Sequence, residues 1–98
     1  MIDIKICCND GHKKSVSATL LGPLAVHRSI DWVSDWRITH VATGCALPVF
    51  FSTKAGALAA AKAVLPMADW TFTDIKTPVR DWSKRKRNRI GRTMERFA

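Results

Sequence analysis

Residues 36–51, WRITHVATGCALPVFF, alternate so regularly about Thr43-Gly44 that few backbones can hold them. Trp36, Ile38, His40 and Ala42 fall on one side of an extended chain, and Cys45, Leu47, Val49 and Phe51 on the matching side of its return. This is the period-2 signature of a β-hairpin with one buried face. A two-residue turn at Thr43-Gly44 predicts a register whose partner numbers sum to 87. Trp36 then faces Phe51, Ile38 faces Val49, His40 faces Leu47 and Ala42 faces Cys45. Arg37, Thr39 and Val41 share the other face with Phe50, Pro48 and Ala46. Pro48 has no N–H to give a ladder, so its strand is expected to be an edge or to carry a bulge there.

A helix must follow directly. Ser52 or Thr53 can cap KAGALAAAKAVL, and Pro66 stops it. Ala57, Leu58, Ala61, Val64 and Leu65 form its apolar face, small enough to lie close on a sheet. Upstream, Ile2, Ile4, Ile6 and Cys8 alternate with Asp3, Lys5 and Cys7; Asn9-Asp10-Gly11 turns the chain, and Val16, Ala18 and Leu20 resume the alternation. Gly22-Pro23 interrupts that strand, which is expected to bend and continue through LAVHRSI, while DWVSD reads as a loop. DWTFTDIK (69–76) has strand-like composition. The expectation is an α+β fold: an antiparallel sheet of four or five strands, one helix packed across it, and a basic C-terminal helix or tail. Its 98 residues make one domain, large enough to bury about two-thirds of the unfolded surface without disulfides or metal. Cys7, Cys8 and Cys45 are odd in number and lack framework spacing, and Met1-Ile2-Asp3 opens no secretory leader, so a reducing cytoplasm is expected. No apolar run approaches the ~20 residues of a membrane span.

Charge divides the chain. Residues 80–98, RDWSKRKRNRIGRTMERFA, hold eight of the sixteen Lys and Arg and only Asp81 and Glu95 against them, a net of +6; residues 1–79 carry a net of +2. The organisation expected is a folded body over 1–79 and a basic amphipathic segment over 80–98. If residues 84–97 are helical, Arg85, Arg89, Arg92 and Arg96 fall within about 60° of one another on a 100° wheel, with Ile90, Met94 and Phe97 opposite. Gly91 interrupts the pattern, and such a segment can also order only on binding. Arg outnumbers Lys there six to two, and its planar fork suits phosphate or carboxylate. The candidate binding residues are therefore Lys84, Arg85, Lys86, Arg87, Arg89, Arg92 and Arg96, joined by Trp82, whose ring could stack on a base or partner side chain. Lys13, Lys14 and Arg28 could extend the patch, and Trp32 could offer a second surface ring.

Catalytic chemistry finds no foothold. Cys7, Cys8 and His12 lack the second ligand pair a structural zinc site needs, and adjacent strand cysteines point to opposite faces. Cys45 and His40 share a hairpin face, but a turn is a poor pocket and no oxyanion-stabilising loop accompanies them. Asp31 and Asp35, flanking Trp32 in a loop, read as capping or solvated residues. Phosphate-loop, dinucleotide and zinc-protease signatures are absent. The expectation is no enzyme, no cofactor and no metal.

The run 36–70, with an aromatic before Ile-Thr-His, a Thr-Gly turn, an apolar return strand, Thr53-Lys54, an Ala-rich helix and a closing Trp, resembles small uncharacterised proteins of phages and integrated mobile elements. The resemblance covers about a third of the chain. It implies a bacterial host cytoplasm and a small single-domain binder. Some such proteins regulate transcription or recombination; others, anti-CRISPR proteins among them, occupy a nucleic-acid channel or subunit surface of a host defence complex. Two functions lead, with a third behind them. One is a non-enzymatic module gripping nucleic acid, or a complex that handles it, through phosphate contacts without base readout. The other is an anti-CRISPR-like inhibitor whose arginines meet acidic side chains on a CRISPR-Cas or other defence complex. An amphipathic membrane-surface helix is a third, for which three apolar residues are few.

Overall fold

The computed structural model describes residues 2–7, 13–28, 35–47, 49–74 and 76–98. Five strands form one antiparallel sheet in chain order: β1 (Ile2–Cys7), β2 (Lys13–Leu21), β3 (Leu24–Arg28), β4 (Trp36–His40) and β5 (Cys45–Ala46). Among the described residues three α-helices follow, α1 (Lys54–Val64), α2 (Lys76–Asp81) and α3 (Lys84–Glu95). The α+β expectation holds. No helix among the described residues is long and apolar enough to cross a membrane.

β2 pairs β1 through its first part, with Ile4 opposite Val16, and β3 through its last residues, with Leu21 opposite Leu24. This stagger lets the sheet curl until β1 approaches β5. The expected bend at Gly22-Pro23 is instead a complete reversal. Gly22 takes φ 59°, a backbone that side chains disfavour, and Pro23 presets the next φ, so two residues close the β2–β3 hairpin. β3 is covered on both faces. Leu24 and Val26 join the principal core, while Ala25 packs with Ile4 and Ala18 on the far side of the sheet. The Asn9-Asp10-Gly11 turn, Asp31, Trp32 and Pro48 lie outside the described residues.

The second hairpin keeps the expected faces and changes the register. His40 pairs with Cys45 and Thr39 with Ala46, around a four-residue turn over 41–44. Trp36 nevertheless meets Phe51, with backbone hydrogen bonds of 2.7 and 2.9 Å. Two residues of the β4 side therefore span four of the return side, where the Arg37 Nη2 donates to the Leu47 carbonyl at 2.6 Å. A two-residue slip returns every side chain to its original face, which is why Ile38, Val49 and Phe51 all reach the core regardless.

α1 starts at Thr53, whose hydroxyl accepts the Gly56 N–H at 3.0 Å, and buries Ala57, Ala60, Ala61 and Val64 against β3, β4 and α3. These fall at i, i+3, i+4 and i+7, one helix face. Pro66 ends it in a single 3-10 turn. The Trp70 indole N–H then donates to the Val64 and Leu65 carbonyls, both at 3.2 Å, which satisfies acceptors left open by the helix end.

Residues 69–74 do not form the expected strand. The Asp69 carboxylate accepts from the Thr71 N–H at 3.0 Å and the Thr71 hydroxyl at 2.6 Å, and the Asp74 carboxylate accepts from the Lys76 N–H at 2.9 Å. Aspartates that bond their own backbone two residues on compete with a ladder and win here, and α2 begins at once.

Candidate nucleic-acid interface

α3 opens on Ser83, whose hydroxyl accepts the Lys86 N–H at 3.1 Å. Ile90 and Met94, 4% and 1% exposed, seal its inner face into the core beside α1, so the helix is docked rather than trailing. Phe97 remains 37% exposed at the end. Burying an Ile and a Met contributes about 1.5–3 kcal/mol each.

The cations divide by position around this helix. Arg85, Arg89, Arg92 and Arg96 make the outward row, about 16 Å long at 1.5 Å per residue. With Lys84, Asn88 and Thr93 they line one open groove. Lys86 and Arg87 flank the buried stripe on its two sides. The Lys86 Nζ stands 5.0 Å from the centre of the Trp82 ring, and its charge helps hold the Asp69 carboxyl below the usual range, after the stronger effect of the Thr71 hydrogen bonds. Arg87 borders a separate, apolar pocket. Among the described residues, no cation of α3 is ion-paired; Arg80 instead bonds its exposed neighbour Asp81 at 2.8 Å.

Electrostatics oppose this helix. Its first turn carries Lys84, Arg85 and Lys86 and no acid, although the N-terminal dipole favours anions. Each such cation costs about 0.3–1 kcal/mol at low salt. The spacings 85–89, 89–92 and 92–96 add three like-charge neighbours at about 0.2–0.5 kcal/mol each. Arg92 in the last turn suits the C-terminal dipole, apolar burial outweighs the opposing terms, and among the described residues no acid is ion-paired to the row. An anion laid along the row would relieve the repulsion.

The sequence pattern identified this row but missed the neighbouring pocket. A cavity of about 230 Å³ lies between the end of β4, β5 with Leu47, the 70–72 segment, α2 and α3. His40 and Phe72 stack at 4.1 Å in one wall, and Trp82 stands edge-on to Trp70 and Phe72 at 5.3 and 5.6 Å. Trp82 is thus half-buried in an aromatic cluster rather than a lone surface ring. Its partners come from residues 40, 70 and 72, which no local period links. Gly91 was the one available sign: a mid-helix glycine costs about 1 kcal/mol relative to Ala, and a Cβ there would meet nothing within 4 Å.

His40 and Cys45 do not form a reactive pair. The His40 Nε2 donates to the Trp70 carbonyl at 2.6 Å, its Nδ1 accepts from the Thr43 hydroxyl at 3.0 Å, and the Cys45 thiol points to the Thr43 carbonyl at 3.7 Å. Both ring nitrogens are committed to tying the turn to Trp70. Among the described residues no group of three His, Cys, Asp or Glu is placed to share a metal ion; Cys8 and His12 lie outside them. Arg28 sits over the Trp36 ring at 5.1 Å.

Fold and surface together define a class, a small α+β domain presenting an arginine-faced helix. Comparison with protein-family models, with curated proteins and with solved structures finds no match.

Proposed function

We propose that this chain is a non-enzymatic binding module, encoded by a phage or mobile element and acting in the bacterial cytoplasm, that grips nucleic acid with the arginine row of α3. The carrying observation is that four arginines hold one outward face of a docked helix with no acidic partner among the described residues, at a cost in helix stability that a polyanion reverses. Phosphate contacts from Arg85, Arg89, Arg92 and Arg96, with Lys84 and Lys86 at the helix start, supply affinity without base readout.

Fluorescence anisotropy with a labelled 20-base-pair duplex at several salt concentrations tests this reading. Removing residues 80–98 would also remove Ile90 and Met94 from the core, so the comparison uses Arg→Gln substitutions in the full chain. Four to six phosphate contacts give a slope of log affinity against log salt of roughly −3.6 to −5.4, and each Arg→Gln change lowers it by about 0.9. Absence of binding at low salt to this duplex and to single-stranded DNA and RNA alike refutes the proposal. The row would then meet an acidic protein surface, the anti-CRISPR-like mode of action, and host defence complexes become the partners to assay.

A further inference from the structure

We propose that the apolar pocket beside α3 receives one unstacked nucleobase, which makes a single strand, rather than a duplex, the preferred partner. This rests on the reading that α3 binds nucleic acid. The cavity is about 230 Å³. A dry apolar cavity of about 150 Å³ admits benzene, so this one has room for a one- or two-ring heterocycle. Its lining is aromatic: His40 and Phe72, stacked on each other at 4.1 Å, and Trp82, perpendicular to Phe72 at 5.6 Å. They offer few directed polar groups, because the His40 nitrogens are held by Thr43 and Trp70 and the Trp70 indole N–H by Val64 and Leu65. Such a pocket binds any base by its π-face and reads no sequence.

Two observations select a nucleotide over an uncharged apolar group. Arg87 stands among the pocket residues and Lys86 lies against the Trp82 ring, so cationic groups accompany the aromatic surface where a base would bring its phosphate. Gly91 also lines the pocket, in mid-helix, where an added Cβ would meet nothing within 4 Å beyond its own stretch of helix. Its lack of a side chain serves no packing contact and leaves the space beside it open. A duplex keeps its bases stacked and has none to insert.

The test is anisotropy of the full chain with labelled dT12, labelled dA12 and a 12-base-pair duplex, comparing wild type with Gly91→Leu, which fills the space and leaves every charge in place. Wild type is expected to bind both single strands more tightly than the duplex at equal salt, with dT12 and dA12 close to each other. Gly91→Leu is expected to weaken single-strand binding roughly 5- to 150-fold, the range for loss of one base–aromatic stack, and to leave duplex affinity unchanged. Photocrosslinking of wild type with a 5-bromodeoxyuridine strand gives a readout independent of how the variant folds. Crosslinks at Phe72 or Trp82 support the pocket, and crosslinks confined to the Arg85–Arg96 row overturn it. Equal single-strand and duplex affinity, or an unaffected Gly91→Leu variant, overturns this inference while duplex binding preserves the proposed function. Absence of binding to every nucleic acid overturns both.

Discussion

Gly56 gives a sharp test of how α3 ends. It sits in the first turn of α1, where replacement by Ala ordinarily gains up to about 1 kcal/mol of helix propensity. A Cβ built there, however, falls 2.6 Å from the Phe97 carbonyl oxygen and 3.1 Å from the Thr53 hydroxyl oxygen. Carbon–oxygen contacts of this kind normally lie at about 3.3–3.6 Å, so the methyl intrudes by roughly 0.7 Å on a backbone atom. Moving it away presses it toward the capping hydroxyl that holds the Gly56 N–H at 3.0 Å. Overpacking of this type costs about 1–3 kcal/mol, leaving Gly56→Ala a net destabilisation of about 1 kcal/mol. For a domain of this size that lowers Tm by about 4–8 °C. Urea unfolding of wild type, Gly56→Ala, a chain ending at Arg96 and the double variant makes a thermodynamic cycle. The loss is expected to vanish in the shortened chain, where the Phe97 carbonyl is absent. If Gly56→Ala stabilises the full chain, the end of α3 does not rest on α1 and the close approach is wrong.

Three further outcomes follow from the same packing. Met94→Ala, at a 1% exposed core position, should cost about 2–5 kcal/mol, whereas a solvated tail would leave the urea midpoint unmoved. Arg89→Ala should raise Tm slightly at low salt while weakening nucleic-acid binding, because it removes like-charge neighbours at positions 85 and 92; a drop in Tm would show that the row is not under repulsion. His27 is buried with its Nδ1 donating to the Arg28 carbonyl at 2.7 Å and its Nε2 accepting from the Thr39 hydroxyl at 2.6 Å. Burial holds its pKa below the ordinary 6.5, with Arg37 adding a smaller effect and the Arg28 carbonyl opposing. The unfolded chain therefore takes up the proton first, so stability is full above about pH 6.5 and falls as pH drops below it, by at most about 1.4 kcal/mol per pH unit. Urea midpoints from pH 7.5 to 5 should show this slope in wild type and lose it in His27→Gln; equal slopes would refute the assignment.

The α+β class, the faces of the 36–51 hairpin, the Thr53-capped helix and the opposition of Arg85, Arg89, Arg92 and Arg96 to Ile90 and Met94 were all legible, because each is a periodic pattern carried by neighbours along the chain. The register of that hairpin was not. Registers summing to 85 and to 87 bury the same side chains, so alternation cannot separate them, and the structure uses both, one at each end of the return strand. Gly22-Pro23 likewise suits a bend or a reversal, and the strands it joins decide between them. The DWTF stretch has strand composition, yet Trp70 is claimed by the end of α1 and by His40, thirty residues away, while Asp69 and Asp74 bond locally. The pocket depends on those contacts. Local periodicity reveals which face of an element is apolar; only the competition among distant side chains for the same buried space settles what that face meets, and here it left an aromatic opening beside a cationic helix.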